Sequence, residues 1–429
     1  MLCFLEKFFF SHLAPEAMEA AVNVTYVCRI FQLPCVLLAM MAQVCVGRLH
    51  GAKQLESVGS VIWQFIWFSL LSMLITLPVG LVYGKLYFQK TAIADIALPY
   101  YNFLIALNFL YPLGAALSCF YLGRGRTRLI VCARLVSEIV TVLIAYVLIF
   151  GKAGMPKLGL IGGAIGMLIG QGSLCLVLLA IFLHPWHARS YGSWHWRFQP
   201  KLFWESIQPG LLRGLSALIN TLCWTSTVYL MTAKGGNHIL VLSMGGSLFL
   251  FLSCLGDALC QSMTTIMSQI IGSKQYQLLR KAFRSGIILT FTLTLLVGVF
   301  LITFACPLFH LFFPETLLND ASIRKIFIGV WLCAVGYMLI FVPISYILAV
   351  KDMKFSLFMG LFAWFNGFLL LYMSIQKIGI APDQFWAVAS ITHFSSVALY
   401  VWRVKKLTSR LISVSVDTKE DPSKISTIA

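Results

Sequence analysis

The chain has 429 residues, of which 59% are hydrophobic and 11% charged, and its 32 Lys and Arg against 15 Asp and Glu give a net charge of +17. Soluble domains carry about 25% charged residues, so this composition excludes a soluble protein and predicts an all-α, polytopic membrane protein. The basic residues lie in short loops between apolar runs, a pattern of membrane topology that argues against nucleic-acid binding.

The first element, residues 1–13, is apolar with Glu6 and Lys7 in its middle, and it is too short to span a bilayer alone. We interpret it as the second half of a first span whose start is missing. Eleven full spans are predicted after it, each an apolar run between charged or Gly/Pro-marked breaks. Their predicted ranges are near 19–47, 58–84, 99–122, 129–151, 159–184, 208–233, 238–271, 286–313, 325–350, 355–376 and 382–402.

The loops between these spans carry unequal numbers of Lys and Arg residues. One side holds far more of them, including Arg124, Arg126, Arg128 and Arg280, so this side is predicted to be cytoplasmic. The same count places the C-terminus inside the cell. The polar tail, residues 411–429, is predicted to be disordered.

Short sequence echoes, spaced about 220 residues apart, indicate an internal duplication. They pair Gly51–Gln54 with Gly272–Gln275, Leu122–Arg124 with Leu348–Lys351, and Gly159 with Gly379. Because echoed segments fall on the same predicted side, the duplication predicts two parallel six-helix bundles. The predicted domains are an N-terminal lobe at 1–190, a cytoplasmic linker at 191–206, a C-terminal lobe at 207–410 and the tail at 411–429.

The order of several sequence pieces resembles the multidrug and toxic compound extrusion (MATE) family. The matching pieces are Gly51–Lys53, Val58–Trp67, Pro112, Phe120–Thr127, Gly159–Ala164 and Gln269–Ser273. The resemblance implies a two-lobed exporter of twelve helices that moves organic cations or other amphiphiles outward in exchange for Na⁺ or H⁺.

The chain departs from the family pattern at positions that bear on coupling. Relatives often carry an Asn and an Asp in the fifth span that help to bind the coupling ion, where this chain has Thr141 and Ala145. Glu6 falls where relatives have an acid in the first span. The resemblance therefore leaves the coupling ion open between Na⁺ and H⁺.

Asp257 is the foremost candidate for a coupling group, because it lies near the middle of a predicted span, where a charge is costly. It shares one helix face with Gln261, Thr264 and Ser268, at spacings of three and four residues. The duplication maps Thr264 onto Gln43. This face is predicted to line a cavity in which Asp257 titrates or binds a cation; the alternative is a buried acid that pairs with an Arg. Glu6 is the rival coupling acid.

Three further polar residues, Arg29, Asn220 and Asn366, are predicted to line the cavity. Arg29 could instead extend its charge to the membrane surface, and Asn366 could serve interhelical hydrogen bonding. Arg134 and Glu138 are spaced i, i+4 and are expected to pair with each other.

The leading functional interpretation is secondary active efflux, in which two bundles rock around a cavity and cation binding at a carboxylate biases the open side. No G-x-x-x-x-G-K-[ST] run is present to bind ATP phosphates. A flippase for a lipid-linked oligosaccharide or cell-wall precursor is the alternative, because Arg29, Arg48 and Arg213 could make the cavity cationic. A third possibility is an inactive remnant with an incomplete first helix.

An enzyme is not expected, because the sequence has no D-x-x-D, H-E-x-x-H or Ser nucleophile elbow. No metal or cofactor is expected, since the 12 cysteines include no C-x-x-C pair and nearly all fall within apolar runs. The expected partners are a small-molecule substrate and membrane lipid, with a monomeric protein. The expected location is the plasma membrane, which is the inner membrane of a bacterium.

Overall fold

The computed structural model describes residues 15–89, 91, 93–152, 154–234, 237–312 and 319–420. Every regular element in these ranges is helical, which confirms the predicted all-α class. The first apolar run, with the candidate acid Glu6, lies outside the described residues.

The described residues form fifteen α-helices. The first eight are α1 (Pro15–Ala39), α2 (Met41–Gly51), α3 (Ser57–Phe88), α4 (Ala94–Ala106), α5 (Leu110–Leu122), α6 (Thr127–Phe150), α7 (Leu160–Phe182) and α8 (Pro185–Tyr191). The others are α9 (Pro200–Lys234), α10 (Asn237–Gly272), α11 (Gln277–Thr303), α12 (Ala305–Phe312), α13 (Asp320–Val350), α14 (Met353–Tyr372) and α15 (Phe385–Glu420). A π-helix (Met373–Ile378) and a 3₁₀ turn (Pro382–Gln384) join α14 to α15.

Ten helical stretches of the described chain are long and apolar enough to cross a membrane, which identifies a multi-pass protein. They correspond to ten of the eleven predicted full spans. The eleventh prediction, 208–233, lies within the 35-residue helix α9. This helix is not among the ten, since polar residues such as Arg213 and Asn220 interrupt its apolar sequence.

Internal contacts divide the chain into two compact units, Met1–Leu218 and Ile219–Ala429, here called unit 1 and unit 2. The division falls within α9. The non-helical segment between α8 and α9 lies inside the range predicted as a linker. Helix α15 continues to Glu420, within the range predicted as a disordered tail, and residues 421–429 lie outside the described part.

In unit 1, α6 and α7 pack against each other through glycines spaced four residues apart. A Cβ atom on Gly162 would lie 2.7 Å from the Leu148 carbonyl carbon, and one on Gly166 would lie 2.8 Å from the Ala145 backbone nitrogen. Gly170 continues the row. Small residues at this spacing let helix backbones approach closely, which is how helices associate without a hydrophobic driving force in lipid.

The first half of α9 packs on α1 by the same means. A Cβ atom on Gly210 would lie 2.7 Å from the Leu38 side chain, and one on Gly214 would lie 3.0 Å from the Pro34 carbonyl oxygen. The Gly-x-x-x-Gly spacing places both glycines on one face of α9. This half of α9 therefore belongs to the core of unit 1.

The core of unit 2 is built around Trp386, which is 1% exposed. Its indole Nε1 donates a hydrogen bond to the Val241 carbonyl oxygen at 3.1 Å. Gly245 provides the space for this ring, since a Cβ atom there would overlap with Nε1. A Cβ atom on Gly329 of α13 would lie 3.1 Å from the Trp386 Cβ. Helices α10, α13 and α15 are thereby held together at one ring.

The first sequence echo is also an echo in backbone structure. Lys53 and Lys274 have φ angles of 59° and 58°, a left-handed conformation that non-glycine residues seldom adopt. The following amides close equivalent helix ends: Gln54 donates to the Leu49 carbonyl at 2.9 Å, and Gln275 to the Ile270 carbonyl at 3.2 Å. This shared helix ending supports the predicted duplication.

The third sequence echo pairs positions that differ in structure. Gly379 ends the π-helix with φ 68° and ψ 45°, and Gly151 ends α6 with φ 67° and ψ 40°. Gly159 instead precedes α7 with a ψ of −126°. The prediction that Gly159 matches Gly379 is therefore wrong, because the left-handed helix end equivalent to Gly379 is at Gly151.

Candidate functional site

Asp257 lies on α10, near the centre of the membrane-spanning stretch Met244–Gly272. Its side chain is exposed, on a helix face that also carries Leu250 and Phe251, which are 60% and 70% exposed. A charged carboxylate at this depth costs about 2.5 to 3.5 kcal/mol on insertion scales. Such an acid must face water, bind a cation, hold a proton or pair with a basic side chain, so this position can carry ion-dependent chemistry.

Two further polar groups lie near Asp257 within unit 2. Helix α10 packs on α13 beside it, since a Cβ atom on Gly256 would lie 2.6 Å from the Phe341 ring. Tyr337 of α13 lies close enough to Asp257 for the two side chains to interact electrostatically. The Tyr337 ring centroid is 5.4 Å from that of His393 on α15. A carboxyl, a phenol and an imidazole therefore follow one another across three helices.

Phe249 and Trp386 complete the aromatic surroundings of this group. The Phe249 centroid lies 5.1 Å from that of Tyr337 and 5.6 Å from that of Trp386. It also stacks on His393 at 6.2 Å, with an interplanar angle of 16°. We call Phe249, Tyr337, Trp386 and His393 the aromatic group. Ring faces attract organic cations, so this group and Asp257 combine the features expected of a cation site.

The sequence analysis did not single out Tyr337 or His393. The available signal was the position of His393, an ionisable side chain inside a predicted span. Its place beside Tyr337 depends on Gly336, because a Cβ atom there would lie 2.8 Å from the His393 Cβ. That fit depends on the packing of α13 against α15, which periodicity does not indicate.

The other residues of the predicted α10 stripe become more buried along the helix. Gln261 is half-buried, Thr264 is 3% exposed and Ser268 is 0% exposed. The Ser268 Oγ is buried without a hydrogen-bond partner in the described part of the chain. The stripe thus runs from an exposed acid into the packed interior.

The candidates in unit 1 do not lie together. Gln43 is 1% exposed in α2, and its carbonyl oxygen would lie 2.9 Å from a Cβ atom on Gly123, the residue that follows α5. Arg29 is exposed on α1. Gln43 therefore lies at a tight helix contact, whereas Arg29 is at the surface of the described structure.

The two candidate asparagines belong to unit 2 and differ in environment. Asn220 is exposed on α9. Asn366 of α14 donates a hydrogen bond from Nδ2 to the Ser395 Oγ of α15 at 2.9 Å. This bond is the interhelical role that the sequence analysis weighed against cavity lining for Asn366.

The fifth-span positions that bear on ion binding lie in the α6–α7 contact. Cβ atoms on Gly166 and Gly170 would overlap with Ala145 and Thr141, respectively. The Thr141 hydroxyl donates to the Ser137 carbonyl at 2.9 Å within its own helix. Close helix packing therefore occupies the positions where relatives carry ion-binding residues.

Arg134 does not make the predicted pair with Glu138 among the ion pairs described. Its Nη1 instead donates to Gln171 Oε1 of α7 at 3.3 Å. Gln171 Nε2 in turn donates to the Leu110 carbonyl of α5 at 3.2 Å. The i, i+4 prediction is corrected because Gln171 links three helices, a contact that sequence spacing within one helix does not indicate.

The segment between α8 and α9 is attached to α3 by side chains that the sequence analysis quoted only as part of a resemblance. Trp63 Nε1 donates to the Ser193 carbonyl at 2.7 Å, and Gln64 Nε2 donates to the Arg197 carbonyl at 3.1 Å. Trp67 Nε1 donates to the Trp196 carbonyl at 3.0 Å. These bonds explain the two tryptophans and the glutamine of the Val58–Trp67 piece.

Unit 1 also contains a small pocket of about 120 Å³. Its lining residues are Glu19, Asn23, Tyr87, Phe88, Thr91 and Ile93. None of the predicted site residues lines it. Among the described residues, no group of three or more His, Cys, Asp and Glu side chains could hold a metal ion.

Comparison with known proteins identifies relatives over most of the chain. The MatE family profile matches residues 1–147 and 214–373. The probable multidrug resistance protein NorM of Halalkalibacterium halodurans is 22% identical over 83% of this chain and 79% of its own length.

Two solved structures show the same fold. One is an outward-facing multidrug resistance MATE family transporter of the MOP superfamily, with a TM-score of 0.82 at 15% identity, over 96% of this chain and 92% of that chain. The other is a MOP superfamily transporter from Pyrococcus furiosus whose binding pocket is described as having reverse polarity. It has a TM-score of 0.83 at 16% identity, over the same shares of the two chains.

Proposed function

We propose that this chain, which belongs to the MatE family of multidrug efflux transporters, exports organic cations or amphiphiles in exchange for Na⁺ or H⁺. The observation that carries the proposal is Asp257, an exposed acid near the centre of a membrane span, beside an aromatic group in unit 2. The family supplies the transport activity, and the proposal concerns what is carried and what drives it.

The substrate class follows from the chemistry of the aromatic group. An organic cation gains about 0.5 to 2 kcal/mol over each suitable ring face, more when water is excluded. Tyr337 lies beside the Asp257 carboxylate, and its ring centroid is 5.1 Å from that of Phe249. A flat or amphiphilic cation would therefore gain ring contacts and charge compensation from the same place.

Coupling follows from competition at the Asp257 carboxylate. A bound Na⁺ or proton neutralises the carboxylate, which removes its attraction for a cationic substrate. Loss of that ion on the other side of the membrane restores the charge. A site that can hold the ion or the substrate, but not both, exchanges one for the other across a gradient.

The test is transport of ethidium, a fluorescent organic cation, by purified protein in vesicles with an imposed Na⁺ or H⁺ gradient. We expect gradient-driven uptake by the native chain and its loss in Asp257→Asn, because an amide keeps the shape but cannot exchange a cation. Asp95→Asn is the matched control, an exposed acid at the start of α4. Full gradient-driven transport by Asp257→Asn would exclude this carboxylate and leave Glu6, tested by Glu6→Gln.

The alternative function is a flippase for a lipid-linked oligosaccharide or cell-wall precursor, for which Arg29, Arg48 and Arg213 would supply positive charge. The same vesicles separate the two proposals. A flippase would move a pyrophosphate-linked lipid and leave ethidium transport at the level of empty vesicles.

We also propose the location and orientation of the chain: a monomer without a bound cofactor in the plasma membrane, with its C-terminus in the cytoplasm. The Lys and Arg distribution supports this orientation. Labelling of an Ala282→Cys variant, in a background without native cysteines, tests it. We expect no reaction with an impermeant reagent added outside intact cells, and labelling from outside would contradict the orientation.

A further inference from the structure

A basic cluster lies at one end of unit 1, where α2 and α5 end and the short helix α8 begins. We define it by His50, Arg124, Arg126 and His187. The charges of both arginines act on both histidine rings, so the four side chains are close together. The groups that act electrostatically on His50, Arg124 and His187 include no carboxylate in the described part of the chain. The cluster therefore has an excess of positive charge.

Arg124 is buried, at 7% exposed. Its guanidinium carbon lies 3.8 Å from the Phe120 ring centroid and 4.4 Å from that of Tyr191. Nε donates to the Phe120 carbonyl at 2.9 Å, and the guanidinium and the Tyr191 side chain are close enough to interact. No hydrogen bond of good geometry is described at the buried Nη1 and Nη2 atoms. Buried charges in proteins are normally paired, so these donors lack the anion that such a site requires.

The histidines add two more buried nitrogen atoms without a hydrogen-bond partner, Nδ1 of His50 and Nε2 of His187. His187 Nδ1 lies 2.7 Å from the Ile181 carbonyl oxygen, so Nδ1 carries the hydrogen and Nε2 is the open position. Burial lowers the pKa of His187 below its ordinary value, and the nearby arginines lower it further, which keeps the ring neutral near pH 7.

Exposed tryptophans surround the cluster and place it at the membrane surface. Trp186, Trp194 and Trp196 are 50%, 60% and 62% exposed. The Arg126 guanidinium lies 5.7 Å from the Trp186 ring centroid. Tryptophan prefers the headgroup region, where its ring is half in lipid and its N–H can reach a polar partner. The Trp186 contact with Arg126 supports placing the basic cluster at the depth of lipid phosphates.

We propose that Arg124, Arg126 and His50 bind the phosphate group of an anionic phospholipid at this surface. The exposed Arg126 makes the first contact. The Arg124 guanidinium then turns from the Phe120 and Tyr191 rings toward the phosphate, exchanging stacking for charge-assisted hydrogen bonds. Inorganic phosphate offers the same chemistry from solution, and the experiment separates the two sources.

The test measures cardiolipin bound to the purified full chain by native mass spectrometry, with phosphatidylcholine as the lipid without net charge. We expect Arg126→Gln to weaken cardiolipin binding about fivefold, because it removes a charge-assisted contact with the lipid phosphate itself. Arg124→Gln should weaken it about tenfold or more, because its donors are buried. Arg280→Gln, an exposed arginine on α11, is the matched control and should bind as the native chain does.

If Arg124→Gln does not fold, Arg126→Gln still tests the site, because Arg126 is exposed and its substitution should leave the fold intact. Native-like cardiolipin binding by Arg126→Gln, or an equal loss in Arg280→Gln, would overturn the site, as would equal binding of phosphatidylcholine. Thermal stabilisation by millimolar inorganic phosphate alone, abolished in Arg126→Gln, would keep the phosphate site and overturn lipid as its occupant.

Discussion

Glycine serves two kinds of packing in this protein, and one example comes from each unit. In unit 1, the row Gly162–Gly170 brings the backbones of α6 and α7 together, so that one helix rests directly on the other. In unit 2, Gly245 and Gly336 instead make room for side chains, the Trp386 ring and the Cβ of His393. The same residue type therefore builds a close backbone contact at the α6–α7 pair and makes room for aromatic side chains around Trp386 and His393.

This difference separates structural from chemical roles. At Gly166 the Ala145 residue fills the contact between the helices, and at Gly170 the Thr141 side chain fills it, so no space is left there for an ion or a substrate. An aromatic side chain that packs beside a glycine still offers its ring and its polar atoms for interactions, as Tyr337 and His393 do near Asp257. The comparison assigns the proposed cation chemistry to unit 2 and a scaffolding role to the α6–α7 pair of unit 1.

The largest expected effect is on the stability of unit 1. Gly166→Ala would place a Cβ atom 2.8 Å from backbone atoms of Ala145, which cannot move without separating α6 from α7. We expect a loss of about 3 kcal/mol, measured by thermal unfolding of the purified protein. Gly172→Ala is the control on the same helix, because no atom lies within 4 Å of its position. Equal stability of the two variants would contradict the backbone contact.

The second prediction concerns the glycine beside His393. Gly336→Ala would place a Cβ atom 2.8 Å from the His393 Cβ and shift that ring from Tyr337. We expect a smaller stability loss, about 1 to 2 kcal/mol, with reduced ethidium transport in vesicles. Gly246→Ala, whose nearest atom belongs to Trp386 at 4.0 Å, should leave both unchanged. Native transport by Gly336→Ala would show that the position of His393 is not needed.

The third prediction tests what the two units share. Lys53→Gly and Lys274→Gly should each raise stability by about 0.5 to 1 kcal/mol, because glycine adopts the left-handed conformation at no steric cost. Chemical unfolding measures both gains, which should be alike. Lys85→Gly, inside α3, should instead lose about 1 kcal/mol. A gain at one of the two helix ends and a loss at the other would contradict their structural equivalence.

The smallest effect is a pH dependence confined to unit 1. His187 has a lowered pKa in the folded protein, so the unfolded chain binds its proton more readily and protonation favours unfolding. The stability that the neutral His187 ring contributes is complete above about pH 6.5, the ordinary pKa of a histidine side chain. It is lost as the pH falls below that value. Between pH 7.5 and 5.5, we expect the melting temperature of the His187→Gln variant to fall less than that of the native protein. An unchanged pH profile would exclude this histidine.

Much of the architecture could be predicted from periodicity and charge, because an apolar run of about 20 residues has one stable arrangement in lipid. Ten predicted spans, the all-α class and the family agree with the structure and the comparisons. The family consists of transporters, which confirms that an enzyme was not to be expected. Gly159 was misassigned, since a single glycine in sequence does not reveal whether its backbone ends a helix or begins one.

The candidate site was predictable only in part. A lone acid in a span is conspicuous in any sequence, so Asp257 could be singled out before any contact was known. Its neighbours Tyr337 and His393 come from helices distant in sequence, as does Gln171, which took the place of Glu138 as the partner of Arg134. Bilayer energetics act on each segment separately and can be read along the chain. The contacts between helices depend on which glycines face which side chains. Only the packing of the helices in the tertiary structure determines these pairings.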